Sequence, residues 1–477
     1  LRDDPEQHRF FFFYLLTMAF NFGLILARDM LGFYLFFGMM SIVAYGLIVH
    51  KRSPEALQAG RVYITLVMAG EVLLFAGMVL MASSLPDLGL STIAASRTGN
   101  LSLILLFVGF GIKAGLLPLH VWLPLAHPVA PVPASAVLSG VMIKAGLLGW
   151  LRFLPMGEEI VLPGWGGVLI VMGLVAAFYG VAIGLAQREA KTILAYSSIS
   201  QMGLMTALVG CGLLAPNHWP QVIMAVGIYA LHHGLAKGSL FLATGLGMAR
   251  SPGGAPPRLL LLLFLPALAL AGLPLTSGAI AKYAMKEIVH ALPGPWPGIL
   301  GFSLPLTALA TTLIVCHFLK TMATALPRRS INTRGMTTSW FTLWAGVALL
   351  PWFWPEPPPY AAHLADMQLL RQGLWPILAG VIMMAAYWRW WPAAKRPTVP
   401  AGDVLWLVWP RPAPAKKATP QAKGMISAEP ESGRRARQLL ASFSRRGQHL
   451  EKRLMRWSVA GAAYLLLCLF FLVMLHA

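Results

Sequence analysis

Residues 109–124 read Gly109-Phe110-Gly111-Ile112-Lys113-Ala114-Gly115-Leu116-Leu117-Pro118-Leu119-His120-Val121-Trp122-Leu123-Pro124. Most positions are apolar, yet a lysine stands in their midst and a Gly-Leu-Leu-Pro sequence follows it. A glycine with a proline close behind removes a helical hydrogen bond and breaks a helix in mid-course. The run belongs to an apolar stretch, 101–124, of the ~20 residues that a bilayer crossing needs. Farther along, Ala271-Gly272-Leu273-Pro274 interrupts the apolar stretch 259–290 in the same way. A cation and a broken helix at membrane depth are costly, and they recur.

Working outward, the whole chain has the same character. Of its 477 residues 57% are hydrophobic and 11% charged, and the mean hydropathy is +0.68. A soluble domain carries about 25% charged residues, so this chain cannot cover a globular surface and lipid is its solvent. The ~20-residue ruler predicts about thirteen spans, near 10–27, 30–49, 62–83, 101–124, 131–154, 162–186, 192–214, 220–247, 259–290, 301–325, 337–355, 372–391 and 457–476. No long alternation of polar and apolar residues marks a barrel. The predicted fold is an all-α polytopic membrane protein. The two breaks, at Pro118 and Pro274, fall five predicted spans apart, and an odd offset reverses direction. Two inverted five-helix repeats, each with a broken helix, are therefore expected, an arrangement that marks an ion path near the midplane. The reading divides the chain into two leading helices (1–61), a core (62–390), a basic Pro-rich linker with an interfacial helix (391–456) and a last span (457–477).

Net charge is +20. Lys51, Arg52, Arg61, Arg188, Lys191, Arg250, Arg258, Arg328, Arg329 and Arg334 follow even-numbered spans, and odd-numbered connectors hold little beyond Arg28, Arg97 and Arg152. Positive charge stays inside, so the N-terminus is expected in the cytoplasm, with the chain in the inner membrane and its basic segments against anionic lipid, not nucleic acid. Arg434 to Arg456 sets leucines among bases at helical spacing, as an interfacial amphipathic helix does. Cys211, Cys316 and Cys468 lie far apart, without metal-ligand spacing. Phosphate loops, nucleophile elbows and haem-type histidine pairs are absent too, so no metal, cofactor or redox centre of the chain's own is expected.

Ionisable groups inside a membrane cost from ~2.5 to more than 10 kcal/mol, and they usually have a function. Glu71, Lys113, Lys144, Lys237 and Lys282 lie deep in five separate spans. Low dielectric disfavours their charged forms, which brings such groups toward proton exchange near neutral pH. His233 and Lys237 are four apart and share a helix face, with His232 beside them to extend a relay. A buried ion pair that only pins helices is the bland alternative; five such groups on five spans, two of them broken, weigh against it. His120 and His127 flank the turn after the first break and are candidates for an aqueous inlet or a hydrated loop. Lys286 and Glu287 are candidates for an outlet or an interfacial pair, and Lys320 snorkels.

Residues 109–124, Ala126-His127 through Ala136-Val137-Leu138-Ser139-Gly140-Val141-Met142-Ile143-Lys144-Ala145-Gly146, Lys191 to Gly203, His233 to Leu242, and Ala271 to Lys282 together resemble the antiporter-like family. That family comprises the large membrane subunits of respiratory complex I, of membrane-bound hydrogenases, of Mrp antiporters and of an inorganic-carbon uptake system. The resemblance covers roughly residues 10–390. It implies proton translocation within a multisubunit complex, along a midplane row from Lys144 through Lys237 to Lys282, with a Glu–Lys pair at Lys113 as electrostatic switch. Implied partners are other membrane subunits, with peripheral redox subunits or a soluble zinc protein; a non-conducting scaffold is the rival reading. Three departures stand out. Gly38 takes the place of a glutamate, for which Glu71 one span later is the candidate substitute. Leu125 takes the place of an aspartate. Three helices ahead of the first span are missing, so the sequence begins inside a longer reading frame or another polypeptide supplies them.

Overall fold

The computed structural model describes residues 4–157, 159–248, 257–324, 334–353, 367–391 and 397–405. In lipid a backbone can hydrogen-bond only to itself, so apolar runs coil into helices. No strand occurs among the described residues. The first helices are α1 (Gln7–Leu26), α2 (Met30–Ile48), α3 (Pro54–Ala82), the short α4 (Leu90–Ala95) and α5 (Asn100–Ala114). Next come α6 (Trp122–Val129), α7 (Val132–Val137), α8 (Lys144–Phe153), α9 (Pro163–Leu185), α10 (Ala190–Leu214) and α11 (Trp219–Met248). The remaining ones are α12 (Pro257–Ala271), α13 (Ser277–His290), α14 (Trp296–Thr324), α15 (Arg334–Phe353) and α16 (Met367–Trp390).

Eight stretches are long and apolar enough to cross a membrane: α1, α2, α3, α5 with α6, α7 with α8, α9, α10 and α14. With 30 residues α11 has the length, but His232, His233 and Lys237 hold its hydropathy down. The chain is an all-helical membrane protein. The expected last span, 457–477, and most of the linker and interfacial helix before it lie outside the described residues.

Several boundaries differ from expectation for local reasons. Helix α3 begins eight residues earlier than the apolar run, because Ser53 accepts the Ala56 amide at 3.2 Å and Pro54 and Glu55 fill the first turn. The stretch 101–124 is two helices, extending to Val129 and joined through a short 3₁₀ turn, Leu119–Val121. Gly115 closes α5 at φ +75°, where the Leu116 amide reaches back to the Gly111 carbonyl at 2.9 Å. Only a residue without Cβ takes that left-handed position at no cost. Gly272, at φ +93°, ends α12 likewise. The stretch 131–154 is also interrupted, by a π turn over Leu138–Met142 that no glycine–proline signature announces.

Helix α10 is buried along its whole length. Its neighbour α9 meets it through an antiparallel seam of glycines spaced by sevens. A Cβ on Gly166 would lie 2.7 Å from the Gly210 carbonyl oxygen, one on Gly173 2.4 Å from that of Gly203, and one on Gly180 2.6 Å from that of Tyr196. Small residues let helix backbones approach this closely where lipid offers no hydrophobic drive to join them.

Candidate functional site

Of the expected charged residues, Glu71, Lys237 and Lys282 lie inside α3, α11 and α13, while Lys113 is in the last turn of α5 and Lys144 opens α8. Glu71 on α3 and Lys113 on α5 are both buried. Lys113 lies in the last turn of α5, where the free carbonyls form the negative end of the helix dipole. Its Nζ donates to the Tyr63 hydroxyl at 3.0 Å and sits 5.8 Å from the centroid of the Phe37 ring. Tyr63 donates onward to the Ser41 carbonyl at 2.8 Å. Phe37 and Ser41 flank Gly38, so Lys113 and Tyr63 stand against the part of α2 where the resemblance implies a glutamate. Glu71 Oε2 is buried without a hydrogen-bond partner.

Two of the other lysines, Lys144 and Lys282, use carbonyls at helix interruptions. Lys144 Nζ donates to the Ser139 carbonyl, within the π turn, at 2.6 Å. It also lies 2.7 Å from His233 Nδ1 on α11. Lys282 on α13 folds back over the second break to donate to the Ala271 carbonyl, the end of α12, at 2.7 Å. Gly272 makes room: a Cβ there would lie 2.7 Å from the Lys282 side chain. Lys237, wholly buried, donates to the Leu194 carbonyl at 2.8 Å. Ser198 shares that carbonyl at 3.0 Å and meets Ser139 at 2.8 Å. Polar contacts therefore connect Lys144 and Lys237 through Ser139, Ser198 and the Leu194 carbonyl, while His233 joins Lys144 to the helix that carries Lys237. His232 carries the row toward the second break, its Nδ1 2.8 Å from Ser277 Oγ at the start of α13.

Beyond Lys282 a cavity of about 320 Å³ is lined by Gly272, Pro274, Lys286, Gln372 and Trp375. Lys286 donates to Gln372 Oε1, and Glu287 is exposed. The two expected inlet histidines are buried rather than open. His127 stacks on Phe241 with ring centroids 4.6 Å apart, and both its nitrogens are buried without a partner. Lys191, counted as a connector cation, is buried too; it donates to the Ala130 carbonyl at 2.6 Å and so clips α10 to the end of α6.

Sequence reasoning missed an aspartate. Segment 397–405 lies on the main body and brings Asp403 against His120, with its side chain 5% exposed. Asp403 Oδ2 accepts from Tyr179 at 2.8 Å, from Tyr196 at 3.0 Å and from His120 Nε2 at 3.3 Å. Burial by itself would raise its carboxyl, but the His120, Val404 and Tyr179 hydrogen bonds and the neighbouring imidazole hold it below its ordinary 3.8. Gln187 Nε2 anchors the segment at the Val399 carbonyl, 3.0 Å away. Gly402 packs on Leu125, the apolar residue standing where the resemblance implies an aspartate. Tyr63, Ser139, Ser198, Tyr179 and Tyr196 were missed as well; as ordinary polar residues in apolar helices they gave no pattern of their own.

Comparison with known proteins agrees with this architecture. A stretch of 253 residues is 34% identical to hydrogenase-4 component B of Escherichia coli, covering 50% of this chain and 37% of that protein. A Na(+)/H(+) antiporter subunit from Alkalihalophilus pseudofirmus is 29% identical over 60% of each chain. NADH-quinone oxidoreductase subunit M of Rhodobacter capsulatus is 30% identical over 57% of each. The chain spans less than two thirds of these relatives' own lengths. In fold it is similar to the Mrp complex of Dietzia sp., with a TM-score of 0.68 at 24% identity over 94% of this chain and 50% of that one. A second similar structure is an archaeal membrane-bound sulfane sulfur reductase, with a TM-score of 0.62 at 21% identity over 78% of this chain and 77% of that one. The profile described as NADH:quinone oxidoreductase/Mrp antiporter, TM, matches residues 27–293. More than half of the chain thus fits one profile, and the chain belongs to the NADH:quinone oxidoreductase/Mrp antiporter transmembrane family.

Proposed function

We propose that this chain translocates protons as the antiporter-like subunit of a multisubunit, redox-driven membrane complex of the hydrogenase type. The observation that carries the reading is the 2.7 Å contact between Lys144 Nζ and His233 Nδ1. Two titratable nitrogens at that separation, on different helices in a part-buried contact, can hand a proton between them directly. From there the row runs along α11 to Lys237 and His232, then through Ser277 to Lys282 and the cavity beside it. Glu71 and Lys113 form the switch: opposite charges that approach or part change the proton affinity of what lies near them.

Two inverted five-helix repeats underlie this path. In each, a helix ends at a left-handed glycine, Gly115 or Gly272, and a lysine lies beside the break. Lys51, Arg52 and Arg188 on alternate connectors support an N-terminus in the cytoplasm. The identity to a hydrogenase component, higher than that to the antiporter relative, favours the redox-driven version over cation antiport.

Inverted membrane vesicles holding the native complex supply the test, with acidification followed by a pH-sensitive dye. Lys237→Ala should abolish acidification while the complex still assembles; wild-type acidification in that variant would overturn the relay. Mild-detergent purification and mass spectrometry identify the partners. Iron–sulfur or nickel–iron subunits support the proposal, and small hydrophobic subunits alone, or a soluble zinc protein, would refute its redox part.

A further inference from the structure

Segment 397–405 follows the core, in a stretch rich in proline and bases that composition reads as linker. Its geometry is that of a built site. Three side chains from three parts of the core converge on one carboxylate: His120 from the turn after the first break, Tyr179 from α9 and Tyr196 from α10. Among the described residues, the Val404 amide and these three donate to it. An ionised carboxylate can only accept hydrogen bonds. The hydrogen between His120 and Asp403 therefore sits on Nε2, which leaves Nδ1 as the basic nitrogen of the ring. Nδ1 is buried and has no partner of its own.

This is how a carboxylate prepares a histidine for proton transfer elsewhere in protein chemistry: it fixes the tautomer and orientation, and it balances the charge when the second nitrogen is protonated. Thr398 and Pro400 of the segment are exposed. His120 belongs to the 3₁₀ turn that continues the broken helix of Lys113. The pair thus joins an exposed segment to the first break.

We propose that Asp403 is a positioning residue for proton transfer, holding His120 so that its buried Nδ1 can take up and release protons beside the first break, and that segment 397–405 is a working part of the path. This rests on the translocation reading above and adds one residue pair to it. No bond other than N–H and O–H is made or broken: a proton arrives at Nδ1 and leaves from it, while Asp403 keeps the Nε2 hydrogen in place.

Two readouts test it on the full chain within its complex. In ¹⁵N-histidine-labelled membranes, the His120 signal, identified by its loss in His120→Gln, should show the neutral ring in the Nε2–H tautomer. Asp403→Asn, whose amide can also donate, should release that tautomer and slow acidification by about 10–100-fold, the usual cost of losing an orienting partner. Asp403→Glu should keep the tautomer and most of the rate, and the Asp403→Asn/His120→Gln double variant should be no slower than the slower single one. An unchanged tautomer together with a wild-type rate per assembled complex would overturn the proposal, even if the melting temperature fell. Lys237→Ala separates the two levels. If it blocks acidification while Asp403→Asn does not, only the role of the strap is lost; if Lys237→Ala transports normally, the translocation reading goes.

Discussion

Gly234→Ala should slow proton transfer without unfolding the protein. Gly234 follows His233 on α11 and faces the π turn across a very short gap. A Cβ at 234 would lie 2.9 Å from the Gly140 carbonyl oxygen, whereas ordinary van der Waals contact starts at 3.4 Å. The π turn and α11 must then part by about 0.5 Å. Taken up at the neighbouring Lys144–His233 contact, now 2.7 Å, that lengthens it to roughly 3.2 Å, the outer edge of good hydrogen-bond geometry. A 1 Å misplacement of reacting groups costs on the order of a hundredfold in rate, so about half that displacement costs about tenfold. Stability changes less. Alanine gains roughly 1 kcal/mol of helix propensity over glycine, and overpacking costs about 1–3 kcal/mol, for a net loss of about 0–2 kcal/mol. Vesicle acidification measured alongside thermal unfolding reads both quantities. Gly227→Ala is the control, on the same helix with nothing within 4 Å of its Cβ. Equal acidification rates in the two variants would refute the claim that Lys144–His233 spacing limits transfer.

Tyr63→Phe removes the hydroxyl that Lys113 Nζ meets at 3.0 Å. A hydrogen bond to a charged group is worth about 1.5–3 kcal/mol, so acidification should fall by at least tenfold with the complex intact; a wild-type rate would show that Tyr63 does not hold the switch. Gly173→Val drives a Cβ into the Gly203 carbonyl, 2.4 Å away, and should cost about 1–3 kcal/mol or more. Detergent-solubilised complex should melt earlier, while Gly164→Ala, with open space around its Cβ, should melt as wild type. The Asp403 contacts give a pH dependence. Its folded carboxyl is held below 3.8, so the stabilisation it lends the strap is fully present above about 3.8 and is lost as pH falls through the lower folded value. Hydrogen exchange over 397–405, corrected for intrinsic rates, should stay slow from neutral down to about pH 4; release of the strap near neutral pH would contradict this sign.

Much of this architecture was legible because its key features are costly in lipid. A lysine in an apolar run and a glycine–proline pair inside a helix are rare unless used, so Lys113, Lys144, Lys237 and Lys282 and both breaks could be read from residue type alone. The π turn could not, since Leu138-Ser139-Gly140-Val141-Met142 resembles any small apolar helical stretch and its extra residue is visible only in the hydrogen bonding. Lys191 misled because a cation beside a loop usually meets water, whereas tertiary packing here offers it the Ala130 carbonyl. Asp403 was hidden by its company: Pro-rich and basic surroundings read as linker, and its partners lie more than two hundred residues earlier in the chain.

The glycine seam between α9 and α10 also bears on how such a protein can move. Side-chain packing between helices can be shifted by changing rotamers, and interfaces of that kind can slide. Here backbone meets backbone, with carbonyls filling the hollows that the glycines leave, so sliding by one residue would drive a Cβ into a carbonyl. The two helices therefore behave as one stiff beam, α10 buried along its length and α9 exposed on its outer face. On the translocation reading, any displacement falls to the interrupted helices α5–α6 and α12–α13 rather than to this seam.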